Sequence, residues 1–72
     1  MELSEKITIS PEIRFGKPCI KNTRITVYDI LSWLASGMSV ADVIKDFPEL
    51  SKEDVQAALY FAADREKRIS VA

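Results

Sequence analysis

The 72-residue sequence contains no histidine and only one cysteine, Cys19. A single cysteine cannot form a disulfide within the chain, and structural zinc sites take almost all of their ligands from cysteine and histidine. The chain therefore lacks the two cross-links that small folds often add to a core supplying only about 3–5 kcal/mol. We expect the missing stability to come from well-packed helices or from association with a second chain.

The residues that catalysis usually requires are missing as well. There is no histidine to act as a base, no Ser or Cys with a dyad partner, and no glycine-rich phosphate loop. We therefore expect a protein that is not an enzyme and that holds no cofactor or metal. Cys19 is expected to be a small apolar filler. It would be a nucleophile only if Lys17 or Lys21 favoured its thiolate.

Segments that direct a protein to a membrane are also absent. No apolar run approaches the ~20 residues of a membrane span. The start, from Met1 to Lys6, lacks the basic residues and apolar stretch of a signal peptide. An unpaired cysteine without a signal is typical of a reducing compartment, so we expect a cytoplasmic protein.

Charge is unevenly distributed, although the net charge is only −1. Residues 13–26 carry +4 and no acid, whereas residues 27–64 carry −5. The cations of the first segment are Arg14, Lys17, Lys21 and Arg24. If all four bind phosphates of nucleic acid, the log–log salt slope of binding is about −3.6. Alternatively, these charges solvate a turn, or Arg24 forms an ion pair with the helix that holds Asp29.

Proline and glycine separate an N-terminal arm from a helical body. Residues 6–25 begin with alternating polar and apolar positions, followed by a turn at Phe15–Pro18 and an extended Cys19–Ile20. This pattern predicts a short β-hairpin or arm. Asn22 is suited to a turn because asparagine tolerates positive φ.

Three apolar stripes with the spacing i, i+3, i+4, i+7 follow the arm and predict helices over residues 27–36, 40–47 and 52–66. The stripes are Val27, Ile30, Leu31, Leu34; Val40, Val43, Ile44, Phe47; and Val55, Ala58, Leu59, Ala62. Gly37 and Pro48 are expected to end the first two helices.

Each predicted helix is preceded by a capping pattern, in which a Ser or Thr is followed three residues later by Asp. The pairs are Thr26–Asp29, Ser39–Asp42 and Ser51–Asp54. Such pairs satisfy free backbone N–H groups at a helix start. We predict one mainly α domain over residues 1–72: a three-helix bundle with the spacing of a helix-turn-helix (26–66), a short N-terminal β-hairpin or arm (6–25) and a tail (67–72).

The third predicted helix is apolar on two faces. Ala57, Tyr60 and Phe61 lie about 200° from its core stripe. An exposed aromatic patch usually marks an interface, so we predict that these residues bind a partner. Alternatively, the hairpin folds back over Tyr60 and Phe61. Trp33, about 110° from the first stripe, either covers the arm or joins the partner surface.

The ends of this helix carry the remaining candidates. A recognition helix usually presents Arg, Lys, Asn or Gln near its start, and only Lys52 and Gln56 fit, beside Glu53 and Asp54. In the tail, Ile69 and Val71 alternate with polar residues. They either add as a strand to a partner's sheet or belong to a disordered terminus.

The run from Gly16 to Val27, GKPCIKNTRITV, followed by Leu31–Gly37 and Phe47–Ser51, resembles the small bacterial domain called domain of unknown function 433. The resemblance covers residues 7–61 and implies a homeodomain-like helix-turn-helix fold with a short β-element. Members are regarded as Vap-type antitoxins that pair with PIN-like ribonuclease toxins. Two residues depart from the family pattern, Phe15 and Asn22, which stand where glycine is expected.

Together these patterns lead to one functional hypothesis and one alternative. The hypothesis is a homo-oligomeric antitoxin, expected to form a dimer, that neutralises a PIN-like toxin and represses its own operon by binding operator DNA. The DNA-binding candidates are Arg14, Lys17, Lys21, Arg24, Lys52 and Gln56. The partner-binding candidates are Trp33, Ala57, Tyr60, Phe61, Ile69 and Val71. The alternative is a homo-oligomeric interaction module with no nucleic-acid role.

Overall fold

The computed structural model describes residues 3–70, which contain two short strands and three α-helices. The strands are β1 (Ile7–Thr8) and β2 (Cys19–Ile20); the helices are α1 (Val27–Ala35), α2 (Val40–Asp46) and α3 (Lys52–Ser70). Short 3-10 turns at Leu3–Lys6 and Arg14–Gly16 precede β1 and β2. The predicted mainly helical fold with an N-terminal hairpin is therefore confirmed.

Strand β2 lies between two neighbouring segments of the chain. On one side it pairs antiparallel with β1, with Ile20 opposite Ile7. On the other side the Ile20 N–H donates to the Ile25 carbonyl at 2.9 Å, and Cys19 bridges Thr26. Asn22 turns the chain between these partners at φ 66°, as expected for a turn residue. Because β2 pairs with the residues just before α1, the hairpin fixes where that helix starts.

Each α-helix starts with the predicted capping box. At α1 the Thr26 hydroxyl accepts from the Asp29 N–H at 2.9 Å, and the Asp29 carboxylate accepts from the Thr26 N–H at 3.1 Å. The other two reciprocal pairs are Ser39–Asp42 and Ser51–Asp54. Each pair satisfies backbone N–H groups that have no partner within the helix.

The helix ends agree with the predictions for α1 and α2 but not for α3. Gly37 follows α1 at φ 109°, in the region that favours glycine, and α2 ends at Asp46 shortly before Pro48. Helix α3 continues to Ser70, beyond the predicted end at residue 66, because no Gly or Pro follows Lys52. Of the two alternatives for the tail, the extended strand is therefore wrong at Ile69, which lies in α3, and Val71 lies outside the described residues.

The core lies where the three helices meet β2. Its most buried members are Ile20, Val27, Ile30, Val43, Leu50, Val55 and Ala58. Cys19 is also buried, as expected for an apolar filler. The N-terminal 3-10 turn packs against α3, and the Lys6 Nζ lies 3.6 Å from the Asp54 carboxylate. The N-terminal residues thus cover a side of α3 that the three helices alone leave open.

The capping box of α1 gives the first prediction. We expect Thr26→Val to lower the free energy of unfolding by about 1–2 kcal/mol, because valine keeps the shape of threonine but cannot accept the Asp29 N–H. Urea unfolding followed by Trp33 fluorescence measures the change. The control is Ser32→Ala on the exposed face of α1, which should leave stability within about 0.5 kcal/mol. Equal stabilities of the Thr26→Val variant and the parent would contradict the prediction.

Candidate protein and nucleic-acid interfaces

Helix α3 presents a different face to the core than the sequence predicts. Ala57, a partner-binding candidate, is only 1 % exposed, whereas Leu59, assigned to the core stripe, is 43 % exposed. The buried face is rotated by roughly 70° from the predicted stripe. The rotation arises because α3 packs against the N-terminal turn as well as against α1 and α2. The assignment of Ala57 to a partner surface is therefore wrong.

Two further partner-binding candidates are engaged within the chain. Phe61 is half-buried against the core, and the Arg65 guanidinium lies 5.9 Å from the centre of its ring. Trp33 is half-buried and stacks on Phe47, with ring centroids 4.1 Å apart and planes within 8°. This stacking joins α1 to the end of α2, a contact that neither alternative for Trp33 included.

The exposed side of α3 retains an apolar surface. We call it the outward face and define it by Gln56, Leu59, Tyr60 and Ala63, which are all exposed. Tyr60 is 53 % exposed, so the hairpin does not cover it as one alternative supposed. Acids and bases border this face in equal number: Lys52 and Glu53 at one end, and Glu66 and Lys67 at the other. Its neutral, apolar centre is suited to a protein surface more than to a polyanion.

A second apolar surface lies between α1 and α3. It is a groove of about 250 Å³, lined by Pro18, Val27, Tyr28, Leu31, Phe61, Ala62, Arg65 and Glu66. Sequence periodicity did not reveal it, because it depends on how α1, α3 and the arm meet. The groove is open along one side and does not include the outward face of α3.

In the arm, Arg14 is used to hold the fold together. Its Nη1 donates to the Arg24 carbonyl at 2.8 Å and to the Asp29 carboxylate at 3.2 Å. The ion pair with Asp29 that the sequence suggested for Arg24 is therefore formed by Arg14 instead. Arg14 is therefore engaged within the chain and is not among the cations available to nucleic acid.

The other three cations of the arm are free to contact a ligand. Lys17, Lys21 and Arg24 are exposed and form no ion pair within residues 3–70. They lie on two turns, residues 14–17 and 21–24, which we call the basic turns. The bond from Arg14 to the Arg24 carbonyl holds the two turns side by side. A hollow lined by Thr8, Ser10 and Ile13 on one side and by residues 21–24 on the other adjoins the second basic turn.

Phe15 occupies the tip of the first basic turn, with 95 % of its surface exposed. Its backbone is left-handed at φ 60° and ψ 34°. Sequence reasoning did not select Phe15 as a functional residue. The available signal was its place immediately before Gly16 in a turn, where a family resemblance led us to expect glycine.

Two carboxylates have lowered pKa values. Burial raises the pKa of Asp29, but hydrogen bonds from the Thr26 backbone and side chain and the charge of Arg14 outweigh it, so that this pKa lies below its usual value. Backbone and side-chain hydrogen bonds from Ser39 lower the pKa of Asp42 in the same way. Both groups are therefore more acidic in the folded chain than when unfolded.

Within residues 3–70, no group of three or more His, Cys, Asp or Glu lies close enough together to hold a metal ion. None of the helices in this part of the chain is both long and apolar enough to cross a membrane.

Comparisons with known proteins identify relatives but no activity. Residues 7–62 match the model of a family described as "Protein of unknown function (DUF433)". The uncharacterized protein y4eO of Sinorhizobium fredii is 36 % identical over 58 residues, which are 81 % of this chain and 26 % of that protein. The crystal structure of a DUF433 member from Anabaena variabilis superposes with a TM-score of 0.81 at 28 % identity, over 90 % of this chain and 64 % of the other. The chain thus spans about a quarter of its curated relative.

The lowered pKa of Asp29 predicts a specific acid sensitivity. The carboxylate titrates near 3.9 when unfolded and lower when folded, so its stabilising contribution is present above the unfolded pKa and lost as pH falls through the folded pKa. We expect the free energy of unfolding to fall with pH below about 4. In Asp29→Asn this fall should be shallower. Urea titrations across the acidic range measure both slopes, and identical slopes would contradict the prediction.

Proposed function

The chain belongs to the DUF433 family of proteins of unknown function, and we propose that it is a non-enzymatic, antitoxin-like helix-turn-helix protein. Its outward face of α3 docks on a PIN-like ribonuclease and blocks that enzyme. The exposed cations of the basic turns contact operator DNA, so that the complex represses its own operon. The observation that carries this proposal is the exposed apolar centre of α3, at Leu59 and Tyr60.

The position of these two residues supports protein docking over base recognition by α3. In helix-turn-helix proteins, the outward face of the second helix usually presents donors and acceptors to base edges. Here Lys52 and Gln56 are exposed and remain candidate DNA contacts, but the exposed Glu53 adjoins them and repels phosphate. Asp54 is engaged in the cap of α3 and with Lys6. Further along the outward face of α3, Leu59 and Tyr60 present apolar surface in place of hydrogen-bonding groups.

The basic turns supply the charge that α3 lacks. Lys17, Lys21 and Arg24 lie on two adjoining turns and have no acidic partner among residues 3–70. Contacts from such exposed cations to phosphates provide affinity that depends on salt but not on sequence. In this proposal the arm holds DNA while α3 holds the ribonuclease.

The second candidate is a homo-oligomeric interaction module without a nucleic-acid role. The groove between α1 and α3 favours it, because this is an apolar surface separate from the outward face of α3. Two copies would then pair through the groove as a homodimer. Light scattering of the purified chain distinguishes a dimer from a monomer, and Leu31→Ser in the groove should shift a dimer towards monomer. The DNA measurement below separates this candidate from the first.

Docking on a ribonuclease is tested by co-expressing the chain with the product of the neighbouring open reading frame, which the proposal expects to be a PIN-like ribonuclease. We expect a complex that co-purifies and has no ribonuclease activity. The double variant Leu59→Ser/Tyr60→Ser should weaken this complex about 100-fold, because two anchors of the interface are removed. Ribonuclease activity should rise as the fraction of ribonuclease bound in the complex falls.

The matched control is Ile9→Ser, which removes an exposed apolar side chain from the arm. This variant should bind and inhibit like the parent. If the double variant also binds like the parent, α3 is not the docking surface. If no complex forms with the parent chain, the antitoxin proposal fails.

Operator binding is tested by anisotropy of a labelled duplex covering the region upstream of the gene. We expect each of Lys17→Ala, Lys21→Ala and Arg24→Ala to reduce the slope of log affinity against log salt by about 1. Lys45→Ala, at an exposed cation of α2, should leave the slope unchanged. Absence of binding at ~50 mM salt, with and without the ribonuclease, would overturn the nucleic-acid half of the proposal and favour the second candidate.

A further inference from the structure

The first basic turn holds three consecutive residues with positive φ. Arg14, Phe15 and Gly16 have φ values of 52°, 60° and 80°. Only glycine adopts this region without a steric cost, since in other residues the Cβ approaches the following carbonyl. Arg14 gains two contacts in return, with the Arg24 carbonyl and with Asp29. Phe15 has no comparable compensation.

The side chain of Phe15 contributes almost nothing to the core. It is 95 % exposed, so very little of its apolar area is removed from water. Glycine at this position would relieve the strain of the left-handed backbone. A polar side chain would be better solvated there than the phenyl ring. Neither the conformation nor the packing of the folded chain therefore explains a phenylalanine here. Its ring is available to a ligand outside the chain.

The backbone of the turn that carries this ring is held in a defined place. The Gly16 N–H donates to the Ile13 carbonyl and the Lys17 N–H to the Arg14 carbonyl, both at 3.2 Å. The Arg14 side chain fastens the turn to Arg24 and to the first turn of α1. A strained residue that its surroundings hold in place is a common feature of binding sites.

The charges around Phe15 indicate the chemistry of the ligand. Lys17 follows two residues later, and Arg24 is on the adjoining turn, whose backbone carbonyl Arg14 contacts. Lys21 lies on that same turn and is likewise exposed. The exposed acid of this region, Glu12, already accepts a hydrogen bond from Ser10 at 2.7 Å. An exposed aromatic ring on one of two adjoining turns with exposed cations complements nucleic acid, which offers base faces between phosphates.

We propose that Phe15 inserts as a wedge at a base step of duplex DNA, while Lys17, Lys21 and Arg24 bind the flanking phosphates. This inference rests on the nucleic-acid half of the proposed function and adds a residue that contacts bases. Apolar wedges of this kind partly unstack a step and bend the duplex, which is easiest at flexible TA steps. The cations then supply affinity, and Phe15 supplies the deformation.

The experiment uses an A·T-rich duplex of about 20 base pairs with 2-aminopurine at a central TA step. Binding is followed by anisotropy, and unstacking by the rise in 2-aminopurine fluorescence at saturation. We expect the parent chain to raise the fluorescence. Phe15→Ala and Phe15→Gly should bind about tenfold more weakly at every salt concentration, with an unchanged salt slope and no fluorescence rise.

A stability measurement ensures that these losses are not caused by unfolding. Phe15→Gly relieves the left-handed backbone, so its melting temperature should rise by about 4 °C even as DNA binding weakens. Ile9→Ala is the control for an exposed apolar side chain of the arm and should bind like the parent. Phe15→Trp retains a large ring and should retain the fluorescence rise.

The outcomes separate this inference from the function on which it rests. If the parent binds the duplex with a salt dependence and Phe15→Ala binds equally well, the wedge is overturned and the role of the cations stands. If the parent does not bind the duplex at low salt, both the wedge and the nucleic-acid half of the proposed function fail. Tighter binding to the single strand than to the duplex would also overturn the wedge, since it would indicate stacking on unpaired bases.

Discussion

One carboxylate, Asp29, connects the start of α1 to both turns of the arm. Its Oδ2 atom accepts from the Thr26 N–H at 3.1 Å and from Arg14 Nη1 at 3.2 Å. Arg14 also donates to the Arg24 carbonyl, so one side-chain junction joins the helix, the turn that carries Phe15 and the turn that carries Arg24. In a chain without an internal disulfide, this junction restrains the arm relative to α1, as a cross-link would. The geometry of the basic turns depends on it, because the short strands alone do not fix their tips.

The parts of the fold that local chemistry determines could be predicted from sequence. The three capping boxes involve residues three apart, so Thr26 and Asp29 reveal their role without any knowledge of the tertiary structure. Gly37 and Pro48 mark helix ends for the same reason. The orientation of α3 could not be predicted in this way. It depends on the N-terminal turn that packs against it, which buries Ala57 and leaves Leu59 outside.

The candidate site shows the same division between local and tertiary information. The four cations of the arm could be listed from sequence, and an ion pair with Asp29 could be anticipated. Which cation forms it could not, because Arg14 reaches Asp29 only after β2 has paired with β1 and with the residues before α1. The exposure of Phe15 depends on a backbone conformation that its residue type disfavours. Rules based on residue preference therefore miss this position, although a strained and exposed residue is a candidate for binding a ligand.

The same junction couples stability to the proposed nucleic-acid surface. Protonating Asp29 removes the charge that attracts Arg14 and weakens the cap of α1, so acid acts on the helix start and on the basic turns together. Releasing Arg14 frees a fourth cation but also releases the carbonyl contact that keeps the two turns side by side. Binding of a flexible polyanion would depend more on the additional unpaired charge. Insertion of a wedge would depend more on the fixed backbone of the turn that carries Phe15. A ligand that requires the turn of Phe15 in this position should therefore bind more weakly when Arg14 loses its carboxylate partner, even though the arm then has one more unpaired cation.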